Sequence, residues 1–333
     1  MVYLQAFLIS FVLVLVLSPL SIKISRRFHI FSLPNKRESN GKPCAGGIGI
    51  FLAFGIACLF ISLRHSLNTS TLLGLFASSF VIVLLGLVDD VRELRPLQKI
   101  IIELVAITLL VCFGVFTKIS FLPLWANILV TFIWILFITN AFNLLDIVDG
   151  LTSGLVIIIS CTLLTVSLVN RDILSSVILA SLAGAHLGFL RYNYPPARLY
   201  MGDTGSLFSG FILAAIAINI SYATLERPIA LITPLLAMSL PIYDTFFLMI
   251  MRIIKQRPIF SKTDDHFALR LVTMGYSVRK SIWIMYLFSI FLAASSTIVA
   301  FAPNIIGGFT VILVTVSFIF MGKKIGMVKI EDR

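Results

Sequence analysis

The chain has 333 residues, of which 59% are hydrophobic and only 12% charged, and its mean hydropathy is +1.05. That composition excludes an ordinary water-soluble domain. The formal net charge of +11 is spread over short segments between apolar runs, which argues against nucleic-acid binding and for a basic face at a membrane surface.

Eleven apolar runs follow in chain order, at about 2–22, 46–63, 71–88, 100–116, 124–141, 151–169, 172–190, 206–222, 229–250, 281–301 and 305–321. Each is near the length of roughly 20 residues that an α-helix needs to cross about 30 Å of hydrocarbon. Lipid offers no partner to a backbone amide, so each run is expected to be helical. The expected fold is therefore all-α: a polytopic integral membrane protein with about 11 transmembrane helices, forming a single catalytic domain over 1–333. No internal repeat or low-complexity tract interrupts it. The first run has no basic residue before it and no small-residue cleavage site after it, so it reads as a retained helix with its N-terminus outside. In that orientation, of 26 Lys and Arg only Arg64, Lys118, Arg171 and Arg227 lie outside. This asymmetry sets the topology and places the C-terminus in the cytoplasm. The four cysteines, Cys44, Cys58, Cys112 and Cys161, show no paired spacing, and neither disulfides nor a zinc site is expected.

Almost every residue able to do chemistry falls in the inside segments. Asp89-Asp90 ends the third run. Adjacent carboxylates at a helix C-terminus repel each other and oppose the dipole. Either a cation or a proton-transfer role justifies them, or they are a solvated helix end paired with Arg92 or Arg95. Within the fourth run, Glu103 is one turn beyond Lys99, and an i,i+4 ion pair accounts for it. The segment NAFNLLDIVDGLT (140–152) carries Asn140, Asn143, Asp146 and Asp149 with no Lys or Arg. Their spacing by threes places them on one slowly drifting helical face. Such a stripe is costly near a bilayer unless it binds something, although Asp149 alone would also serve as the N-cap of the next helix.

RYNYPPARLYMGDTGSLFSG (191–210) stops the seventh helix at Pro195-Pro196 and opens the eighth through Gly202-Asp203-Thr204-Gly205-Ser206. Small residues at a helix N-terminus expose N–H groups to a phosphate, but Asp203 or Thr204 would equally serve as an N-cap. The longest inside loop, 251–280, holds Asp264, Asp265, His266 and Arg270. His266 and Arg270 are four apart and are expected to face one site if that piece is helical. Asp244 sits about seven residues into its run, roughly 10 Å deep, where a carboxylate is either functional or a structural partner of another helix.

Taken in order, these blocks resemble the polyprenyl-phosphate N-acetylhexosamine-1-phosphate transferases, of glycosyltransferase family 4 type, a superfamily shared with phospho-N-acetylmuramoyl-pentapeptide transferases. The resemblance runs through PNKRESNGKPCAGG (34–47), GLVDD with L-x-x-L-x-K (86–99), NAFNLLDIVDGL (140–151), YNYPPARLYMGDTGSLFSGF (192–211), LPIYDT (240–245) and DDHFALRL (264–271). It implies Mg²⁺ at Asp203, with Mn²⁺ an acceptable substitute and with Asp89 and Asn143 contributing. It implies catalytic roles for Asp89, Asp90, Lys99 and His266. Lys42, Asn143, Asp146, Asp149, Asn193 and Arg270 would bind substrate. Asn40 and Ala45 depart from the His and Arg that relatives often carry, and Leu269 stands where many have a second His. The three-histidine run of the muropeptide enzymes is also missing, which favours the sugar-1-phosphate branch.

The implied reaction moves a sugar-1-phosphate, GlcNAc-1-phosphate by default, from a UDP-N-acetylhexosamine to polyprenyl (undecaprenyl) phosphate. It releases UMP at the cytoplasmic face of the cell membrane and starts a cell-envelope glycan. A homodimer is left open. Two rival readings are a muropeptide-type transferase and, from another class, a secondary transporter relying on Asp244 and Glu103. A transporter would place its polar groups at mid-membrane and often shows inverted repeats, whereas here the polar clusters gather at one face.

Overall fold

The computed structural model describes residues 1–28, 30, 41–65, 67, 69–222, 226–258 and 265–327. Asn40 and Asp264 lie outside the described residues. The chain divides into two compact units, Met1–Ser221 and Tyr222–Arg333.

The first unit is a bundle of eight helices: α1 (Val2–Phe28), α2 (Gly46–His65), α3 (Thr69–Val91), α4 (Pro96–Cys112), α5 (Leu124–Leu145), α6 (Leu151–Val169), α7 (Ile173–Asn193) and α8 (Gly202–Asn219). On α1 small residues face inward and large apolar ones outward. Its buried positions are Ala6, Ser10, Val14, Ser18, Ser21 and Ser25, at helical spacing, while Leu4, Leu8, Val12, Val16 and Leu20 are exposed. Lipid tails are as apolar as leucine, so hydrophobicity does not join these helices; close backbone approach does. Gly184 and Gly188 on α7 supply that approach. A Cβ on Gly188 would lie 2.6 Å from Val14 Cγ1 and 2.7 Å from the Phe11 carbonyl oxygen, and one on Gly184 would overlap the Phe7 carbonyl. Helices α7 and α8 are the most buried spans, and α8 packs on α2, α3 and α5.

The second unit holds a 3₁₀ turn (Pro228–Ile232), α9 (Thr233–Ala237), α10 (Ser239–Ile254), α11 (Phe267–Thr273), α12 (Val278–Phe301) and α13 (Asn304–Gly326). The run expected as one helix over 229–250 is instead broken, with a 70° bend between its two halves. Pro241 has no N–H for the Ala237 carbonyl four residues back, so the ladder is interrupted at the bend. Among the described residues, nine helices are long and apolar enough to span a membrane, or ten if the bent pair counts as one span. The 17-residue α4, which corresponds to the expected run at 100–116, falls just short of that length.

Candidate active site

Most of the sequence motifs meet at one end of the first unit. The junction is built from glycines. Gly47 on α2 and Gly86 on α3 lie against the first turn of α8, where a Cβ on either would overlap the backbone of Gly205 or Thr204. Gly202 has φ +69°, and a Cβ there would sit 2.5 Å from Asp90 Oδ2. Glycine is needed on both counts.

This contact brings the carboxylate of Asp90 onto the N-terminus of α8. Its Oδ1 accepts from Asp203 N at 2.7 Å, and its Oδ2 accepts from Thr204 N at 3.1 Å and Thr204 Oγ1 at 2.6 Å. Neither Asp203 nor Thr204 is the cap expected from sequence; α8 is capped in trans by a residue on α3, in place of the missing first-turn acceptor. The Cys44 thiol points at the same carboxylate, with Sγ 3.9 Å from Oδ1. Burial, and then the negative charge of Asp90, push the Cys44 thiol well above its ordinary pKa.

Asp89 takes a different part. It pairs with Lys99 and accepts from Leu94 N at 2.7 Å. Lys99 also reaches Asp203 Oδ2 at 2.9 Å, so one ammonium joins the end of α3, the start of α4 and the start of α8. The acidic pair therefore answers to Lys99 and to α8, not to Arg92 or Arg95. Burial works against the charge of Lys99, but Asp203 and Asp89 outweigh it and hold its pKa above the usual lysine value. The pairing expected between Lys99 and Glu103 is not formed. Glu103 is buried and accepts from Asn140 Nδ2 at 2.6 Å instead. Two carboxylates converging on Lys99 outcompete one on the next turn.

The asparagine–aspartate segment flanks this cluster. Asn143 Nδ2 donates to Ser206 Oγ at 3.1 Å, which sets the amide beside Asp203. The helix ends at Leu145, so the four polar residues do not form one helical stripe; Asp146 and Asp149 lie in the turn before α6. Burial, reinforced by Asp203 and Asp149, pushes Asp146 up to about 7. Asp149 does not cap α6, whose N-cap is Gly150 at φ +78°. It accepts from Ala197 N at 2.8 Å and faces Lys42 Nζ at 3.9 Å. Lys42 in turn lies over the Tyr200 ring, 5.2 Å from its centroid. Asn193, expected to line the cleft, is buried and clamps two loops: it accepts from Gly150 N at 2.9 Å and donates to the Leu199 carbonyl at 3.0 Å.

His266 and Arg270 belong to the second unit. Arg270, expected to face substrate, is fully buried. Its guanidinium donates to Asp265 Oδ1 at 2.7 Å and to the Ile325 carbonyl at 3.0 Å. Lys255 also bridges to Asp265, at 2.9 Å. His266 Nδ1 meets Asp244 Oδ2 at 2.9 Å, and Phe267 N donates to Asp244 Oδ1 at 2.8 Å. Asp244 is thus the structural partner of the His266 segment.

Mg²⁺ is implied by the family resemblance. Among the described residues, no group of three or more His, Cys, Asp or Glu side chains is arranged to hold a metal. Mg²⁺, however, is ordinarily held by one or two carboxylates plus substrate phosphates and water. Asp89 and Asp203 already converge on one cation, the Lys99 ammonium, and the Asn143 side chain is held nearby through its bond to Ser206 on the first turns of α8. The donor set fits a hard divalent ion shared with substrate.

The sequence reading singled out the Gly202–Ser206 segment, but not that Asp90 holds its amides or that Gly47 and Gly86, inside the other motif blocks, make the close contact with it.

The family model described as glycosyl transferase family 4 matches residues 72–221. A probable undecaprenyl-phosphate N-acetylglucosaminyl 1-phosphate transferase of Bacillus subtilis is 29% identical over 97% of this chain and 92% of its own. A decaprenyl-phosphate N-acetylglucosaminephosphotransferase of Mycobacterium leprae is 29% identical over 79% of this chain and 75% of its own. A phospho-N-acetylmuramoyl-pentapeptide-transferase of Clostridium acetobutylicum is 32% identical over 65% of this chain and 75% of its own. With the motif blocks assembled at one end of a membrane-helix bundle, these matches place the chain in glycosyl transferase family 4, the polyprenyl-phosphate N-acetylhexosamine-1-phosphate transferase family.

Proposed function

We propose that the protein transfers GlcNAc-1-phosphate from UDP-GlcNAc to a polyprenyl phosphate and releases UMP, at the cytoplasmic face of the cell membrane. The observation that carries this reading is the Lys99 bridge from Asp89 to Asp203, which joins the 86–99 and 192–211 motif blocks around one cation site. The near full-length match to the Bacillus subtilis relative supports GlcNAc over a muropeptide donor, and the basic segments that flank the site support the cytoplasmic side.

In this mechanism a phosphate oxygen of the lipid attacks the β-phosphorus of the donor. The obstacle is bringing one anion to another. Asp89, Asp203 and the Asn143 amide oxygen would hold Mg²⁺, which when bound supplies positive charge against the charge developing on the phosphoryl oxygens. Lys99 adds a second cation. Lys42, stacked on Tyr200, and Asp149 offer a polar and aromatic surface to the nucleotide. Asp90 holds the first turn of α8, and therefore Asp203, in place. Asp89 is already committed to an ammonium and a backbone N–H, which suits a positioning group better than a proton acceptor. Little deprotonation is required, because the second pKa of a phosphate monoester is about 6 and the acceptor is mostly dianionic at neutral pH.

The test is UMP release by the purified protein from UDP-GlcNAc with polyprenyl phosphate and Mg²⁺. Release that depends on both the lipid and the metal is expected. UMP from UDP-MurNAc-pentapeptide but not from UDP-GlcNAc would establish the muropeptide branch, and no UMP from either would overturn the assignment.

A further inference from the structure

Glu103 is a buried acid with half its carboxylate unanswered. It is 1% exposed, its Oε2 accepts from Asn140 Nδ2 at 2.6 Å, and its Oε1 is buried with no hydrogen-bond partner. The same Asn140 Nδ2 also donates to the Leu136 carbonyl at 2.9 Å, so both its N–H groups are used and none is left for Oε1. A buried carboxylate oxygen with no donor is costly and calls for an explanation.

Lys99 stands one helical turn before Glu103 on α4, a spacing at which side chains meet. Its ammonium is held instead by Asp89 and Asp203. Those are the carboxylates that a divalent cation would take. An ammonium and a divalent cation repel each other and cannot both occupy one two-carboxylate clamp, so Lys99 must leave as the metal enters. A displaced ammonium in a half-buried setting needs a new counter-charge.

We infer that Glu103 Oε1 is the second seat of the Lys99 ammonium. On metal entry Lys99 swings one turn along α4 to Glu103, and Glu103 sets metal affinity by stabilising that displaced position. Glu103 is then a positioning residue: it touches neither metal nor substrate and acts through Lys99. The seat also keeps the ammonium next to the clamp, ready for an incoming diphosphate. The inference rests on the reading that a divalent cation binds between Asp89 and Asp203.

The experiment uses the purified full chain in detergent without substrate, with Mn²⁺ as the probe and free Mn²⁺ read by its EPR signal. Affinities are compared for wild type, Glu103→Gln, Lys99→Met and the double variant. Glu103→Gln is expected to weaken Mn²⁺ binding roughly tenfold, within the coupling range of contacting residues. In the Lys99→Met background the same substitution is expected to change nothing, because no ammonium remains to be housed. An equal effect in both backgrounds, or no effect in either, overturns the inference while leaving the metal site standing. Absence of Mn²⁺ binding in wild type removes the metal reading, and the inference with it. Should Glu103→Gln fail to fold, Glu103→Asp carries the same comparison, its shortened side chain weakening the seat while keeping its charge.

Discussion

Replacing Asp90 by Asn isolates the cap that orders α8. Asp90 accepts three hydrogen bonds, from Asp203 N, Thr204 N and Thr204 Oγ1, at 2.7, 3.1 and 2.6 Å. Hydrogen bonds to an ionised acceptor contribute about 1.5–3 kcal/mol each, against roughly 0.5–1.5 for neutral ones. Asn keeps one carbonyl acceptor, but its amide NH₂ replaces the other oxygen and faces donors. The charge also complements the helix N-terminus, an effect of about 0.3–1 kcal/mol. Losing the charge and one acceptor together should cost about 2–4 kcal/mol. For a large domain that corresponds to a melting temperature lower by roughly 5–10 °C. Intrinsic-fluorescence melting of the detergent-purified variant measures it, and UMP release should fall in parallel as Asp203 loses its fixed position. Thr204→Ala removes one of the same bonds, so its effect should shrink in the Asp90→Asn background. A variant that melts within 1 °C (roughly 0.3 kcal/mol) of wild type yet has lost activity would refute the cap argument and put Asp90 in the chemistry.

Asp203→Asn is expected to abolish turnover while the protein stays folded, and stripping divalent metal from wild type with EDTA is expected to do the same; near-normal activity with unchanged Mg²⁺ dependence would exclude it as a ligand. Asp89→Asn should lose rate at every pH when assayed at saturating Mg²⁺. A recovery between pH 6 and 8 that tracks ionisation of the lipid phosphate would instead make Asp89 the general base. Arg270→Ala leaves the buried Asp265 short of a counter-charge and should destabilise the protein by about 3–5 kcal/mol, seen as loss of monodisperse material on size exclusion; normal stability with a raised KM for the UDP-sugar would return Arg270 to substrate recognition.

The class of this protein is legible without a structure. Apolar runs of spanning length can only be helices in lipid, so the order of the helices follows from composition. The motif blocks at 86–99, 140–151 and 192–211 are specific enough to carry the family, and with it the expectation that Asp89, Asp203 and Asn143 serve one site. What no local pattern contains is the choice of partner. Asp90 finds the α8 amides 113 residues away, and Lys99 finds Asp203 across 104 residues, passing over Glu103 on its own helix. These choices depend on which helix ends lie side by side, and that is settled by glycines that let α2, α3 and α8 close to backbone contact. The same holds for Asp149, drawn from a local cap to Ala197 N, and for Arg270, drawn inward by Asp265. Helical periodicity sets the direction in which a side chain points; only the packed bundle decides what is there to meet it.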